Sequence, residues 1–377
     1  MKTIVTGAFL TLLVAAVWAQ QSAGGRQIGE KKIEAPPTAA AIEKGAKWLV
    51  SVQGADGGWG QDGGETSYVR TGERLESSGN DVANTAVATL ALLQAGKKYQ
   101  PNVDRALDFI LKNVEASSAD GLQITDRKGT QIQRKLGPYI DTFLTSMLLA
   151  QVDGTLSKEL NARVRRALEK CVAKIERNQQ KDGSWNIAGG WAPILGTSMA
   201  SRSLFEAAQK GVKIEDVVMR RAEDYTVMAL SAPTVAVGTG AGVGAGVGGG
   251  VAGGSLSAAA GVPLYQKAQA LEQLSRTESD RQKNAVEIKK IQAELGDSRF
   301  VEGFGSIGGE EFFSYLNVSD GLQRGGGAQW KQWHSQIVQK ILNLQNSDGT
   351  WAGHHCITGR VAVTSAAILN LKFEHAN

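Results

Sequence analysis

The sequence predicts an all-α protein built from a repeated helical hairpin, and three observations predict it. The phrase Gln-x-x-Asp-Gly-x-Trp occurs three times: Gln53 with Asp56, Gly57 and Trp59; Gln179 with Asp182, Gly183 and Trp185; Gln345 with Asp348, Gly349 and Trp351. Each copy follows an amphipathic stretch of helical period. No strand-like alternation of any length is present. A four-point match recurring at fixed structural positions marks a repeat protein. The Asp-Gly step suits a tight turn, because glycine accepts positive φ and aspartate bonds its own downstream backbone. The tryptophan supplies a large apolar plug whose indole N–H needs a partner when buried.

Helical periodicity appears in about ten segments. The first, near 38–53, places Ile42, Ala46, Leu49 and Val50 on one side. The second, near 81–96, is apolar nearly all round. Others follow near 101–115, 138–152, 157–179, 194–210, 214–230, 309–323, 328–345 and 359–373. Pro101 fits the N-terminal turn of the third. Charged helices alternate with helices rich in Ala, Leu, Thr and Ser, which places the small apolar ones inside and the charged ones outside. Asp120-Gly121-Leu122 reads as a fourth, decayed copy of the turn, with leucine where tryptophan would stand.

The rest of the chain divides by composition. Residues 1–19 carry Lys2, an apolar run and Val17-Trp18-Ala19, the pattern of an export signal, so the protein is expected to be periplasmic or extracellular. Residues 20–37 form a polar tether ending in Pro36-Pro37. The repeat domain is expected over 38–230 and 300–377. Between these lies a 231–263 insertion whose centre, 235–261, is almost wholly Gly, Ala and Val. Such a stretch orders at high entropic cost and reads as a flexible linker, with membrane contact as the sharper alternative. Residues 264–296 read as one appended charged helix, with Leu271, Leu274, Ala285, Ile288 and Leu295 at heptad-like spacing.

The net charge of +4 over 377 residues is small and mixed in sign. It excludes the concentrated basic face that nucleic acid requires. Two cysteines cannot form a disulfide framework. Cys171 shares a helical face with Leu160, Val164, Leu168 and Ile175 and reads as core, whereas Cys356 stands in a loop beside two histidines.

The repeated phrase resembles the QW motif of the squalene cyclase and protein prenyltransferase β-subunit repeat family, over most of residues 38–373. The resemblance implies an α/α toroid of about five hairpins, with inner-helix N-termini facing a central cavity. Squalene-type cyclases protonate their substrate from an Asp-x-Asp-Asp-Thr-Ala segment, which Asp81-Val82-Ala83-Asn84-Thr85-Ala86 resembles. Ala83 stands where the protonating aspartate would be, and Asp81 serves equally well as a helix cap. Cyclase chemistry by that route is therefore not expected.

In protein prenyltransferases, zinc is held by Asp, Cys and His near inner-helix starts. Here His354, His355 and Cys356 precede one inner helix, and Glu310 and Glu311 open another. The family's Asp-x-Cys partner is missing. These residues form a zinc-type donor set or, more plainly, polar loop residues, so the expectation is no cofactor, with zinc as the alternative. The Cys-Gly-Glu-Gln of the complement thioester domains, a third relative by fold, is absent from the sequence. Phe312, Phe313, Tyr315, Trp330 and Tyr139 are candidates to line an apolar cavity, against a plainer role in the core.

The resulting expectation is an exported, catalytically degenerate member of this family. It would bind an apolar, isoprenoid-like small molecule or a protein partner. Two alternatives stand beside it: a terpenoid cyclase or prenyltransferase-type enzyme using a non-standard acid or metal, with Asp81, Glu310 and Glu311 as candidate catalytic residues, and a helical scaffold without ligand.

Overall fold

The computed structural model describes residues 37–61, 79–187, 193–231, 262–302 and 307–373. The expected signal, the tether up to residue 36 and nearly all of the Gly/Ala/Val insertion lie outside the described residues. In chain order the helices are α1 (Pro37–Ser51), α2 (Val82–Ala95), α3 (Gln100–Ala116), α4 (Gln131–Leu136), α5 (Ile140–Val152), α6 (Lys158–Arg177), α7 (Pro193–Gln209) and α8 (Asp216–Ser231). They continue with α9 (Val262–Leu274), α10 (Glu278–Lys283), α11 (Ala285–Glu294), α12 (Ser298–Val301), α13 (Gly309–Gly325), α14 (Gly327–Asn343) and α15 (Arg360–Leu371). Among the described residues there is no strand, only an isolated bridge between Trp59 and Asp81. No described helix is long and apolar enough to cross a membrane.

Six of these helices form a closed inner ring, in which α2 packs on α5, α5 on α7, α7 on α9, α9 on α13, α13 on α15, and α15 back on α2. The outer helices α1, α3, α6, α8, α11 and α14 lie against them. The fold is the all-α toroid, with a sixth hairpin beyond the five read from the periodicity.

The three turns build the same bonds three times. In each, the tryptophan is buried and its Nε1–H reaches back to the carbonyl of the residue ten positions earlier: Trp59 to Leu49 at 2.7 Å, Trp185 to Ile175 at 2.8 Å and Trp351 to Ile341 at 2.7 Å. The aspartate Oδ1 accepts from the backbone two residues on. The backbone N–H of the tryptophan is taken by a threonine of the following inner helix, Thr85, Thr197 or Thr364.

The glutamine Nε2 donates twice, to its own turn and to the next outer helix. Gln53 reaches Asn102 O at 3.0 Å, Gln179 reaches Val218 O at 2.9 Å and Gln345 reaches Ala41 O at 2.9 Å. The last of these joins the C-terminal turn to α1 and so closes the ring. The motif glycines need positive φ, and a Cβ at Gly183 would collide with the carbonyl of Arg221. Each motif thus locks one outer helix, its turn and the next outer helix into a single unit.

The decayed copy is held differently. Leu122 is buried where tryptophan would be, and its carbonyl accepts from Thr142 Oγ1 at 2.6 Å. Lys174 of α6 is buried and donates to the carbonyls of Asp120, Gly121 and Gln123 at 3.3, 2.9 and 3.0 Å. A lysine cation replaces the indole as the group that gathers the loop.

Residues 264–296 are not one appended helix. They are α9, α10 and α11, and α9 stands in the inner ring with Tyr265, Ala268, Leu271 and Leu274 buried. Two of the charges in this stretch, Glu272 and Arg276, are paired inside the protein, whereas those of α10 and α11 are largely exposed. Glu272 is fully buried and accepts from Arg276 at 2.7 and 3.0 Å and from Arg324 of α13 at 3.3 Å. Burial alone would raise the Glu272 carboxyl, but the guanidinium groups of Arg276, Arg324 and Arg202 hold it well below the usual range. Buried charge survives in a core only with partners of this kind.

The short helix α4, which falls below the window that periodicity can detect, opens with a capping box of Thr130 and Gln133. Gln131 Oε1 accepts from the N–H groups of Thr358 and Gly359 at 3.1 and 3.0 Å, capping the start of α15.

Candidate functional site

The N-terminal ends of the inner helices gather two groups of buried polar residues. The first lies where α2 meets α5. Asp81 caps α2, its Oδ1 accepting from Asn84 N and its Oδ2 from Asn84 Nδ2, both at 2.9 Å. Asp141, in the first turn of α5, accepts from Ala83 N at 3.0 Å through Oδ1 and from Gln133 Nε2 at 2.7 Å through Oδ2. Burial first, and the charge of Asp81 second, push the Asp141 carboxyl up to about 7. Asp81 is likewise raised by burial. Sequence reading missed Asp141. The available signal was a carboxylate in the first turn of an otherwise apolar inner helix, the position Asp81 occupies just before α2.

The second group joins the start of α13 to the loop before α15. Glu310 and Glu311 open α13 and are both fully buried. His355 and Cys356 face them from the loop, buried as well. His355 Nδ1 stands 3.2 Å from Glu310 Oε1. One donor atom each from Glu310, His355 and Cys356 lies within 4.8 Å of the others. His354 is only partly buried and is not one of these three; its backbone N–H donates to Ile307 O at 2.8 Å.

Glycines allow the two segments to meet. Gly309 N donates to Ile357 O at 3.0 Å, and Ile357 N reaches Glu310 Oε2 at 3.4 Å. A Cβ at Gly308 would sit 2.5 Å from Glu310 Oε2 and 2.6 Å from the His355 ring. Cys356 has φ 55, the left-handed region that a side chain enters at a cost, and such strain clusters at functional sites.

Glu311 turns towards α9, where Tyr265 Oη donates to its Oε1 at 3.1 Å. Its Oε2 is buried with no hydrogen-bond partner among the described residues. Burial beside Glu310 raises the Glu311 carboxyl. Burial and the neighbouring Glu310 likewise raise the Cys356 thiol far above its ordinary value.

Carboxylate oxygen, imidazole nitrogen and thiol sulfur are the donor types of zinc sites, and three protein ligands leave one position open. Bound metal would deprotonate the thiol outright, which burial alone opposes. The residues present therefore fit a transition metal at Glu310, His355 and Cys356.

The aromatic candidates stand apart from the hollow of the ring. Phe312, Phe313, Tyr315 and Trp330 are buried in the core, and Tyr139 is partly buried just before α5. Tyr315 Oη donates to Val301 O at 3.1 Å, and its ring meets Trp333 edge-on at 6.0 Å. A cavity of about 470 Å³ among the described residues is lined instead by residues such as Leu90, Met147, Leu316, Leu369 and Phe373.

Residues 26–127 match the family described as squalene-hopene cyclase C-terminal domain. The squalene–hopene cyclase of Bradyrhizobium diazoefficiens is 39% identical over 70 residues, covering 19% of this chain and 10% of that protein. A probable squalene–hopene cyclase of Sinorhizobium fredii is 38% identical over 77 residues, covering 20% of this chain and 11% of the relative. The matched stretch is thus about a tenth of the length of either relative. Together with the three repeat turns and the ring of helical hairpins, these matches support a likeness to the terpenoid cyclase/prenyltransferase-like family.

Proposed function

We propose that the polar centre of this toroid is a transition-metal site held by Glu310, His355 and Cys356, and that the ring does not start cyclisation from α2. The convergence of three buried donors of zinc-binding type from two inner-helix starts carries the reading. At α2 the position resembling the cyclase acid is Ala83, and its neighbours Asp81 and Asp141 both spend their oxygens on N–H groups. A bound zinc ion would supply a Lewis acid or a held thiolate. Glu310, His355 and Cys356 would bind it, while Tyr265 orients Glu311 beside them and the closely packed glycines keep water out.

Elemental analysis of the full chain tests this. After exposure to zinc and desalting, wild type is expected to retain about one equivalent, and Glu310→Gln, His355→Ala and Cys356→Ser far less. Cobalt substitution should give a thiolate charge-transfer band that Cys356→Ser abolishes. Retention of wild-type metal by all three variants, or no retention by wild type, sinks the proposal.

A second reading is a binding protein whose ligand occupies the central cavity. It is favoured by the separation of that cavity from the donor residues, none of which lines it. The one carboxylate in that lining, Glu206, is ion-paired with Arg202 at 2.7 Å.

A further inference from the structure

We propose that the cavity at the C-terminal end of the inner ring is a binding site for a single-chain amphiphile with a carboxylate head. The inference rests on the cavity-binding reading above and specifies its ligand.

The ring is solid at one end and hollow at the other. In α5 every residue from Ile140 to Ser146 is buried, and the next, Met147, lines the cavity. The same break comes in α13 after Tyr315, at Leu316, and in α15 after Ile368, at Leu369. In α7 it comes after Ser201, at Arg202. Small residues explain the solid half: α2 begins Val-Ala-Asn-Thr-Ala and α15 runs Val-Ala-Val-Thr-Ser-Ala-Ala after Arg360, so these helices approach closely. Leu316 lies six residues beyond Glu310, roughly 9 Å along the helix at 1.5 Å per residue.

The hollow half holds about 470 Å³, within the usual range for small-molecule sites. Leu90, Met147, Leu316, Leu369 and Phe373 give it an apolar wall. Phe373 is braced from behind by Trp330, edge-on at 6.0 Å. This wall suits a hydrocarbon chain.

The polar lining decides the head group. Arg202 and the carboxylate of Glu206 both line the cavity, but they are committed to one another at 2.7 Å, with Asp320 3.5 Å from Arg202. Lys372 also lines the cavity and pairs with no carboxylate among the described residues. The carboxamides of Gln94 and Gln151 stand at the same rim, able to donate to an oxygen. One uncommitted cation with amide donors above an apolar wall selects an amphiphile whose head is an anion.

The test uses the full chain and two probes of equal chain length, dodecanoate and 1-dodecanol, each below its aggregation limit. Wild type is expected to bind dodecanoate about tenfold more tightly than dodecanol, and Lys372→Gln to remove the difference. Leu316→Trp and, independently, Met147→Trp should fill the cavity and weaken both probes, with circular dichroism confirming that at least one of them folds. Equal binding of the two probes by wild type, or a Lys372→Gln variant that keeps its preference because Lys372 serves only the end of α15, overturns the carboxylate assignment but leaves the cavity reading standing. Binding of neither probe, or binding that a folded cavity-filling variant does not weaken, overturns both.

Discussion

Replacing Trp351 by phenylalanine separates one hydrogen bond from the bulk of the side chain. Trp351 is fully buried, and its indole N–H donates to Ile341 O at 2.7 Å. The same turn grips α1 through Gln345, so this is the joint that closes the ring. Phenylalanine keeps an aromatic plug but leaves the Ile341 carbonyl without the indole donor. An unsatisfied buried acceptor costs about 1–3 kcal/mol. Alanine removes the ring too, and deleting a buried aromatic costs about 3–5 kcal/mol. Urea unfolding followed by far-ultraviolet circular dichroism reads both, provided the slope with denaturant is unchanged. The expected order is wild type, then Trp351→Phe, then Trp351→Ala, with about 2 kcal/mol between the variants. A phenylalanine variant within about 0.5 kcal/mol of wild type would falsify the claim that the indole N–H stabilises ring closure.

Other consequences are open to direct measurement. The Asp141 carboxyl lies near 7 in the folded protein against an ordinary 3.8, so between these values the folded state keeps a proton that the unfolded chain has released. Stability should fall as pH rises through that window, and Asp141→Asn should flatten the fall; an unchanged slope in the variant contradicts the assignment. Gly183 and Gly154 both have positive φ, but only at Gly183 would a Cβ meet backbone, the Arg221 carbonyl. Gly154→Ala is expected to cost about 1 kcal/mol, and Gly183→Ala clearly more by the same unfolding assay. Equal losses would show that Arg221 yields freely. Glu272→Gln leaves the buried Arg276 without its carboxylate, while the part-buried Arg324 keeps Asp320, and should cost about 3–5 kcal/mol; a loss under about 1 kcal/mol would mean that the network is solvated.

The features legible along the chain are those whose physics is local. Gln, Asp, Gly and Trp act within seven residues, so their spacing is enough to define the turn and the helix that precedes it. Alternation of charged and small helices likewise shows which face water and which pack inward, because burial selects composition directly. Asp81 was legible as a cap for the same reason.

The remaining features depend on contacts between distant segments. Whether α9 stood inside or outside the ring depended on Arg324, some fifty residues away, neutralising Glu272, and no periodicity records a partner at that distance. Glu310 and Glu311 were recognisable as candidates beside His354, His355 and Cys356, yet only the backbone pairing of Gly309 with Ile357 selects Glu310, His355 and Cys356 and leaves His354 out. The aromatic residues looked like a cavity lining because aromatic side chains suit both core and ligand. Their placement in the core, with the hollow lined by Met147, Leu316 and Leu369 instead, follows from how closely the small-residue ends of the inner helices pack. Local chemistry is written along the chain, whereas the meeting of distant groups depends on a closed ring that no single segment contains.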